Sequence, residues 1–209
     1  MRLILASNNA KKLAELQRLL EPLGLQLVAQ GALAIAEADE PHATFIENAL
    51  QKARHAARVA DGPAIADDSG LCVDALGGAP GVASAHFAAV ERVLGDREAH
   101  RRQQDAANNG QLLERLGAGG DRRAHFVATL VALRAADDPE PLVATGRWTG
   151  VILDAPRGAS GFGYDPLLFI PTLGCTVAEL DPATKNAVSH RALAARQMLV
   201  LMRERWGLT

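Results

Sequence analysis

The sequence is poor in several features, and each shortage excludes a class of function. Its 22 basic and 24 acidic residues leave a formal charge of −2 over 209 residues, so it has no positive excess to offer a nucleic-acid backbone. The arginine pairs Arg101-Arg102 and Arg122-Arg123 lie among Asp, Glu and Gln and read as solvated surface. Cysteine is nearly absent. Cys72 and Cys175 stand far apart and outside any C-x-x-C spacing, which argues for a reduced compartment and against a disulfide framework. The N-terminal apolar run in "MRLILASNN" is too short for a signal peptide or a membrane span. There are no internal repeats, no low-complexity linker and no G-x-x-x-x-G-K-[ST] phosphate loop. These absences predict a soluble cytoplasmic protein with no nucleic-acid or membrane partner.

Hydrophobic residues make up 48% of the chain, enough for a real core in a single domain over residues 1–209, with two lobes. "RLILA" (2–6) reads as a buried strand ending at the capping residues Ser7-Asn8-Asn9. Leu13, Leu16, Leu20 and Leu23 then fall on one helical face, and "LGLQLVA" is a second strand. This strand–loop–helix–strand opening predicts an α/β fold.

Residues 31–43 form a loop rich in Ala and acids. A helix follows over 44–62, with Thr44 and Glu47 spaced as a capping box and an apolar stripe through Ile46, Leu50, Ala53 and Ala57. "AIADD" and "LCVDAL" are short strand-like segments around Ser69-Gly70, and "GGAPGVASAH" is a Gly/Pro loop entering a helix. Residues 90–117 are polar and helical in pattern, broken at Asn108-Asn109-Gly110. Two long β-type runs flank "DDPEP" and predict an antiparallel hairpin. A Gly-rich stretch (155–171) and a long helix from about Thr184 to Trp206 complete the chain.

Five polar clusters fall at loops or element ends, where α/β scaffolds build their sites. "SNNAKK" (Ser7 to Lys12) opens a helix, and a helix N-terminus with lysines suits phosphate, although a Ser/Asn cap beside lysines is commonly just a cap. Glu40 precedes the second helix, where an acid favours the dipole or reaches a metal. Asn48 and Lys52 are an i,i+4 pair, and Lys52 reads by default as solvent-facing.

"ADDSG" is the third cluster. Successive strand side chains point to opposite faces, so Asp67 and Asp68 should not enter one site together. Asp68 shares its face with the small Ala64 and Ala66, and is the candidate reactive carboxylate; Asp67, on the Ile65 side, is a supporting group or a second ligand. "SGFGYDP" (160–166) brings glycines and aromatics that suit a stacked base, against an equally good reading as an ordinary turn. In "KNAVSHR" (185–191), Ser189 is a plausible cap, placing His190 and Arg191 in a first turn with Lys185 nearby.

The segments "SNNAKKLAEL", "TFIENALQKARHAA", "IADDSGLCVDALGGAPGVASA", "GVILDAPRGASGFGYDPLLFIP", "AEL" and "KNAVSHRALA" come in one order along nearly the whole chain. In that order they resemble the pyrophosphatases that hydrolyse non-standard purine nucleoside triphosphates (inosine triphosphatase, dITP/XTP pyrophosphatase). The resemblance implies a homodimer of α/β subunits, each with an elongated mixed sheet flanked by helices and two lobes with the active cleft between them. It implies Mg²⁺-dependent cleavage of a purine NTP to NMP and pyrophosphate. On this chain it assigns phosphate contacts to Ser7, Asn9 and Lys12, with Lys52 beside them, and counts Asn8, Ala10 and Lys11 among the substrate-binding residues. Glu40 and Asp68, with Asp67, are the implied metal ligands, Asp68 is also the proton acceptor, and Ser69 touches substrate. Phe162, Gly163, Tyr164 and Asp165 line the base and sugar pocket, and Lys185, His190 and Arg191 read the purine.

Two positions depart from the family pattern. Where many relatives read "SAR", this chain has "SAH" with His86, so an imidazole replaces a permanently charged guanidinium. Ala89 also stands where a glycine is usual. Polyphosphate affinity at that loop is expected to be weaker or to vary with pH. Two competing readings share these residues: a related metal-dependent pyrophosphatase for modified pyrimidines, and a nucleotide-sensing module without turnover.

Overall fold

The computed structural model describes residues 2–90 and 97–208. Seven strands form one mixed sheet: β1 (Arg2–Leu5), β2 (Gln26–Ala29), β3 (Ala64–Val73), β4 (Arg123–Leu133), β5 (Leu142–Ile152), β6 (Leu168–Ile170) and β7 (Cys175–Thr176), in the order β2-β1-β3-β4-β5-β6-β7. Among the described residues five α-helices accompany it: α1 (Ala10–Leu20), α2 (Phe45–Ala60), α3 (Arg97–Leu116), α4 (Pro182–Val188) and α5 (His190–Trp206). β1 runs parallel to β2 and β3, whereas β5–β6 and β6–β7 are antiparallel. The Ile152 amide donates to the Arg122 carbonyl, so the last residue of β5 meets the residue before β4, the register of the expected hairpin.

The chain divides into two compact units, the first comprising residues 1–69, 128–147 and 188–209 and the second 70–127 and 148–187. In the first, β3 separates two apolar layers. Ile65 joins Leu3, Leu5, Leu16, Leu20, Leu130 and Met198 on the α1/α5 side. Ala64 and Ala66 join Ile4, Ala49, Ala53 and Ala57 on the α2 side. Period-2 alternation of strand side chains produces this split. In the second unit Leu71, Val73, Leu112, Phe126, Ile152, Leu167 and Leu168 are buried.

Local signals set the helix starts. Asn9 caps α1 by accepting from the Lys11 and Lys12 amides, Thr44 caps α2 by accepting from Glu47, and Ser189 caps α5 by accepting from Ala192. Each satisfies amides that the helix itself leaves unpaired.

Four expectations are corrected. The two short strand-like segments around Ser69-Gly70 are one strand: β3 runs unbroken from Ala64 to Val73 because it is paired between β1 and β4. α3 passes straight through Asn108-Asn109-Gly110, and the part of that expected helix at residues 91–96 lies outside the described residues. The buried face of α2 is Asn48, Ala49, Lys52, Ala53, Ala56 and Ala57, while Ile46 is exposed. The last helix is two helices, since Ser189 ends α4 and caps α5.

Glycine is required at Gly146 of β5 by close approach. A Cβ there would overlap the His190 carbonyl oxygen at the start of α5. Gly110, in mid-α3, has nothing within 4 Å of an added Cβ. Gly146→Ala is therefore expected to cost about 1–3 kcal/mol by overpacking, whereas Gly110→Ala is expected to gain about 0.5–1 kcal/mol of helix propensity. Urea titration of the two variants checks the opposite signs.

Candidate active site

The adjacent acids of β3 point to opposite faces, and each meets its own set of charges. On the α1/α5 face, Asp67 is 1% exposed. Its Oδ2 accepts from Arg191 Nε at 2.7 Å, Lys12 Nζ lies 3.6 Å away, and the Ser69 hydroxyl donates to Oδ1. Arg191 also donates through Nη1 to Glu15 of α1 and through Nη2 to Ser69 at 3.4 Å. Burial works against the Asp67 charge, but Arg191, Lys12 and the Ser69 hydroxyl outweigh it and hold the carboxyl far below the usual carboxylate range. Burial, together with Arg191 and Lys52, holds the Lys12 pKa below the ordinary lysine value despite Asp67. Two acids, Asp67 and Glu15, thus face two bases, Arg191 and Lys12, and the charges on this face balance.

The α2 face does not balance. Lys52, 9% exposed, donates to Asp68 Oδ1 at 2.8 Å and to Glu40 Oε2 at 3.1 Å. One ammonium serves two carboxylates, and Asp68 Oδ2 is buried without a hydrogen-bond partner. Burial is the largest influence raising the Asp68 pKa and the Glu40 charge adds to it, against the pull of Lys52. Asp68 and Glu40 together hold Lys52 above the ordinary lysine value against its own burial.

This face therefore carries one negative charge too many and an oxygen to spare. Among the described residues no three His, Cys, Asp or Glu side chains converge on one point. A site of two carboxylates fits Mg²⁺, which usually keeps waters and takes its remaining ligands from substrate phosphates.

The Glu40 loop is tied to α2 by two side chains that the sequence did not single out for this task. Asn48 accepts from the His42 amide at 3.0 Å and donates to the His42 carbonyl at 3.1 Å; Gln51 donates to the Asp39 carbonyl at 2.7 Å and meets His42 Nε2 at 2.6 Å. Amide side chains one turn apart on a helix that follows an irregular loop were the available signal for them.

The other expected residues fall as follows. Within "SNNAKK", Asn9 caps α1, and the Ser7 hydroxyl accepts from the Asn9 amide. Asn8 donates to Glu37 at 2.9 Å, and Ala10 and Lys11 are exposed. Asp67 is not brought to Glu40 and Asp68; it lies on the opposite face with Arg191, Lys12 and Ser69. His190 is buried beside Arg191.

In the second unit, Asp165 Oδ2 accepts from the Phe162 amide at 2.9 Å and from Lys185 Nζ at 2.7 Å, and Lys185 lies over the Phe162 ring, 4.6 Å from its centroid. Gly161 precedes them at φ +83°, where a Cβ would overlap that carboxylate. Tyr164 is buried, and its hydroxyl donates to the Ser84 carbonyl at 3.0 Å. His86 is exposed at the end of a 3-10 helix, Gly81–His86.

A mixed sheet flanked by helices, bearing a cation-deficient carboxylate pair next to a capped, lysine-bearing helix start, defines an α/β protein suited to holding an anion through a metal. The chain belongs to the Ham1 family, which it matches over residues 3–201. It is 68% identical over 206 residues, 99% of each chain, to a dITP/XTP pyrophosphatase of Methylibium petroleiphilum. It is 66% identical over the full length of both chains to a dITP/XTP pyrophosphatase of Leptothrix cholodnii. Among solved structures, a HAM1 protein from Coxiella burnetii superposes with a TM-score of 0.86 at 40% identity, covering 98% of this chain and 99% of that one. The Staphylococcus aureus Ham1 protein gives 0.82 at 32% identity, with the same coverage.

The depressed Asp67 pKa has a defined consequence for stability. A carboxyl that ionises more readily folded than unfolded stabilises the fold above the unfolded value of about 4, and that stabilisation is lost as pH falls below it. Asp67→Asn is expected to cost about 3–5 kcal/mol at pH 7, the range for breaking a buried pair from one side, and to flatten the fall in stability between about pH 4 and pH 2. Thermal melts of both proteins across this range measure it.

Proposed function

We propose that the chain hydrolyses non-standard purine nucleoside triphosphates (ITP, dITP and XTP) to the monophosphate and pyrophosphate, and so cleans the nucleotide pool, acting as one two-lobed domain in a cytoplasmic homodimer. The observation that carries this reading is the α2 face of β3, where Glu40 and buried Asp68 share the single ammonium of Lys52. The activity in the names of the full-length relatives supports it.

Glu40 and Asp68 would hold Mg²⁺, which neutralises triphosphate charge when bound. Asp68 orients a water for attack on the α-phosphorus and takes its proton. The new bond joins the water oxygen to the α-phosphorus, and the bond to the oxygen bridging α and β breaks, so pyrophosphate leaves. Lys12 and Lys52 stabilise the charge that grows on the leaving group. Ser7 and Asn9 contact the same phosphates, and Asn8, Ala10, Lys11 and Ser69 bind the substrate beside them.

Specificity follows from donors. His190 and Arg191 suit the 6-oxygen of hypoxanthine or xanthine and oppose the 6-amino group of adenine, donor against donor. In this reading Arg191 is pre-set by Glu15 and Asp67, which hold its guanidinium in one orientation. Phe162, Gly163, Tyr164 and Asp165, with Lys185, form the surface for base and sugar.

Turnover of ITP and ATP, followed by pyrophosphate release, tests the reading. A hydrogen-bonding pocket rejects a mismatched partner by up to ~10⁴–10⁵ in kcat/KM, and a ratio near one for ITP over ATP would sink the assignment. Asp68→Asn is expected to lose about 10²–10⁴-fold in kcat at saturating Mg²⁺; wild-type turnover from that variant would remove Asp68 from the role of base.

A further inference from the structure

Helix α3 grips the aromatic loop of the second unit by its backbone. Asp105 and Asn109 are four residues apart and so share one face of the helix. Asp105 Oδ2 accepts from the Gly163 amide at 2.8 Å, and Asn109 Nδ2 donates to the Gly163 carbonyl at 3.0 Å. Both polar groups of one loop residue are thus taken by side chains of one helix, which fixes the loop's position and the rotation of the peptides on either side.

Their neighbours on α3 hold a second segment. Asn108, 2% exposed, donates to the Ser84 and Ala85 carbonyls and accepts from the Ala88 amide; Gln104 donates to the Ala88 carbonyl. The Ser84 carbonyl also receives the Tyr164 hydroxyl. Residue 163 lies between Phe162 and Tyr164 in the chain, so a clamp on its backbone sets the direction of both aromatic side chains.

We propose that Asp105 and Asn109 are positioning residues that hold the Gly161–Asp165 loop in its purine-binding form. This rests on the reading that the loop takes the base. Neither residue is given a contact with substrate; both act through the Phe162 ring and the Asp165–Lys185 pair that the clamped backbone carries. Burial raises the Tyr164 pKa, and Asp105 close to the loop adds to it. The clamp needs an acceptor at 105, not a charge, so an amide there keeps the bond.

Four variants test this with ITP and Mg²⁺, alongside proton exchange of the Gly163 amide followed by NMR. Asp105→Ala and Asn109→Leu are expected to raise KM for ITP about tenfold, the scale of one hydrogen bond, with kcat within about threefold of wild type. Asp105→Asn is expected to return KM to within about twofold. Gly163 exchange should quicken at least tenfold in Asp105→Ala and stay slow in Asp105→Asn. Phe162→Ala, which leaves the clamp intact, should raise KM while Gly163 stays protected. If Phe162→Ala raises KM but Asp105→Ala quickens exchange without moving KM, the clamp has no positioning role and the base reading survives. An unchanged Gly163 exchange rate in Asp105→Ala likewise overturns the clamp. If Phe162→Ala also leaves KM unchanged, the base reading fails and the proposal falls with it.

Discussion

The pairing of Asp67 with Arg191 in the interior of the first unit is the interaction on which the rest of that unit is arranged. Removing two full charges from water is expensive, and their attraction offsets the loss only with good geometry and further partners. Here the partners are Glu15 from α1, Lys12 from the same helix, and Ser69 from the next turn of the pleat. The cluster therefore joins β3, α1 and α5 at one point. It also fixes the first turn of α5, whose His190 carbonyl lies against Gly146 so closely that no side chain fits there.

Because Asp67 is neutralised on its own face, Asp68 can be left short of positive charge on the other. Alternation along a strand gives the two side chains different hydrogen-bond partners, although the residues are neighbours in sequence, and the charges still act across the strand: Lys52 and Asp68 both influence Lys12. A balanced quartet lies on one side and a deficient trio on the other. The deficit costs stability, as a raised carboxyl pKa implies at neutral pH, and sites of chemistry commonly carry such a cost. A site of two carboxylates and one lysine is also a site that a divalent cation and a polyphosphate can complete.

Much of this was legible in the sequence, and the exceptions have physical causes. The separation of Asp67 from Asp68 followed from strand periodicity, and the Asn9, Thr44 and Ser189 caps followed from side-chain chemistry next to apolar runs. The continuity of β3 through Ser69-Gly70 did not, because pairing between two neighbouring strands overrides the turn preference of that dipeptide. Nor did the passage of α3 through Asn108-Asn109: the amides that usually compete with a helix here bond outward to loop backbone. Lys52 read as a surface lysine because no local pattern reports that two distant carboxylates, Glu40 and Asp68, will meet it. The Glu15 contact to Arg191, across 176 positions, is hidden for the same reason.

The central proposal is that, among the described residues, the α2 face of β3 and not its α1/α5 face takes a cation. Titration of the nucleotide-free protein with Mn²⁺, with free ion followed by electron paramagnetic resonance, tests it most directly. The account predicts that Glu15→Gln binds Mn²⁺ as wild type does, whereas Glu40→Gln binds at least about tenfold more weakly, having lost one of two carboxylate ligands. Equal binding by Glu40→Gln and wild type, or a loss in Glu15→Gln as large as that in Glu40→Gln, would contradict it.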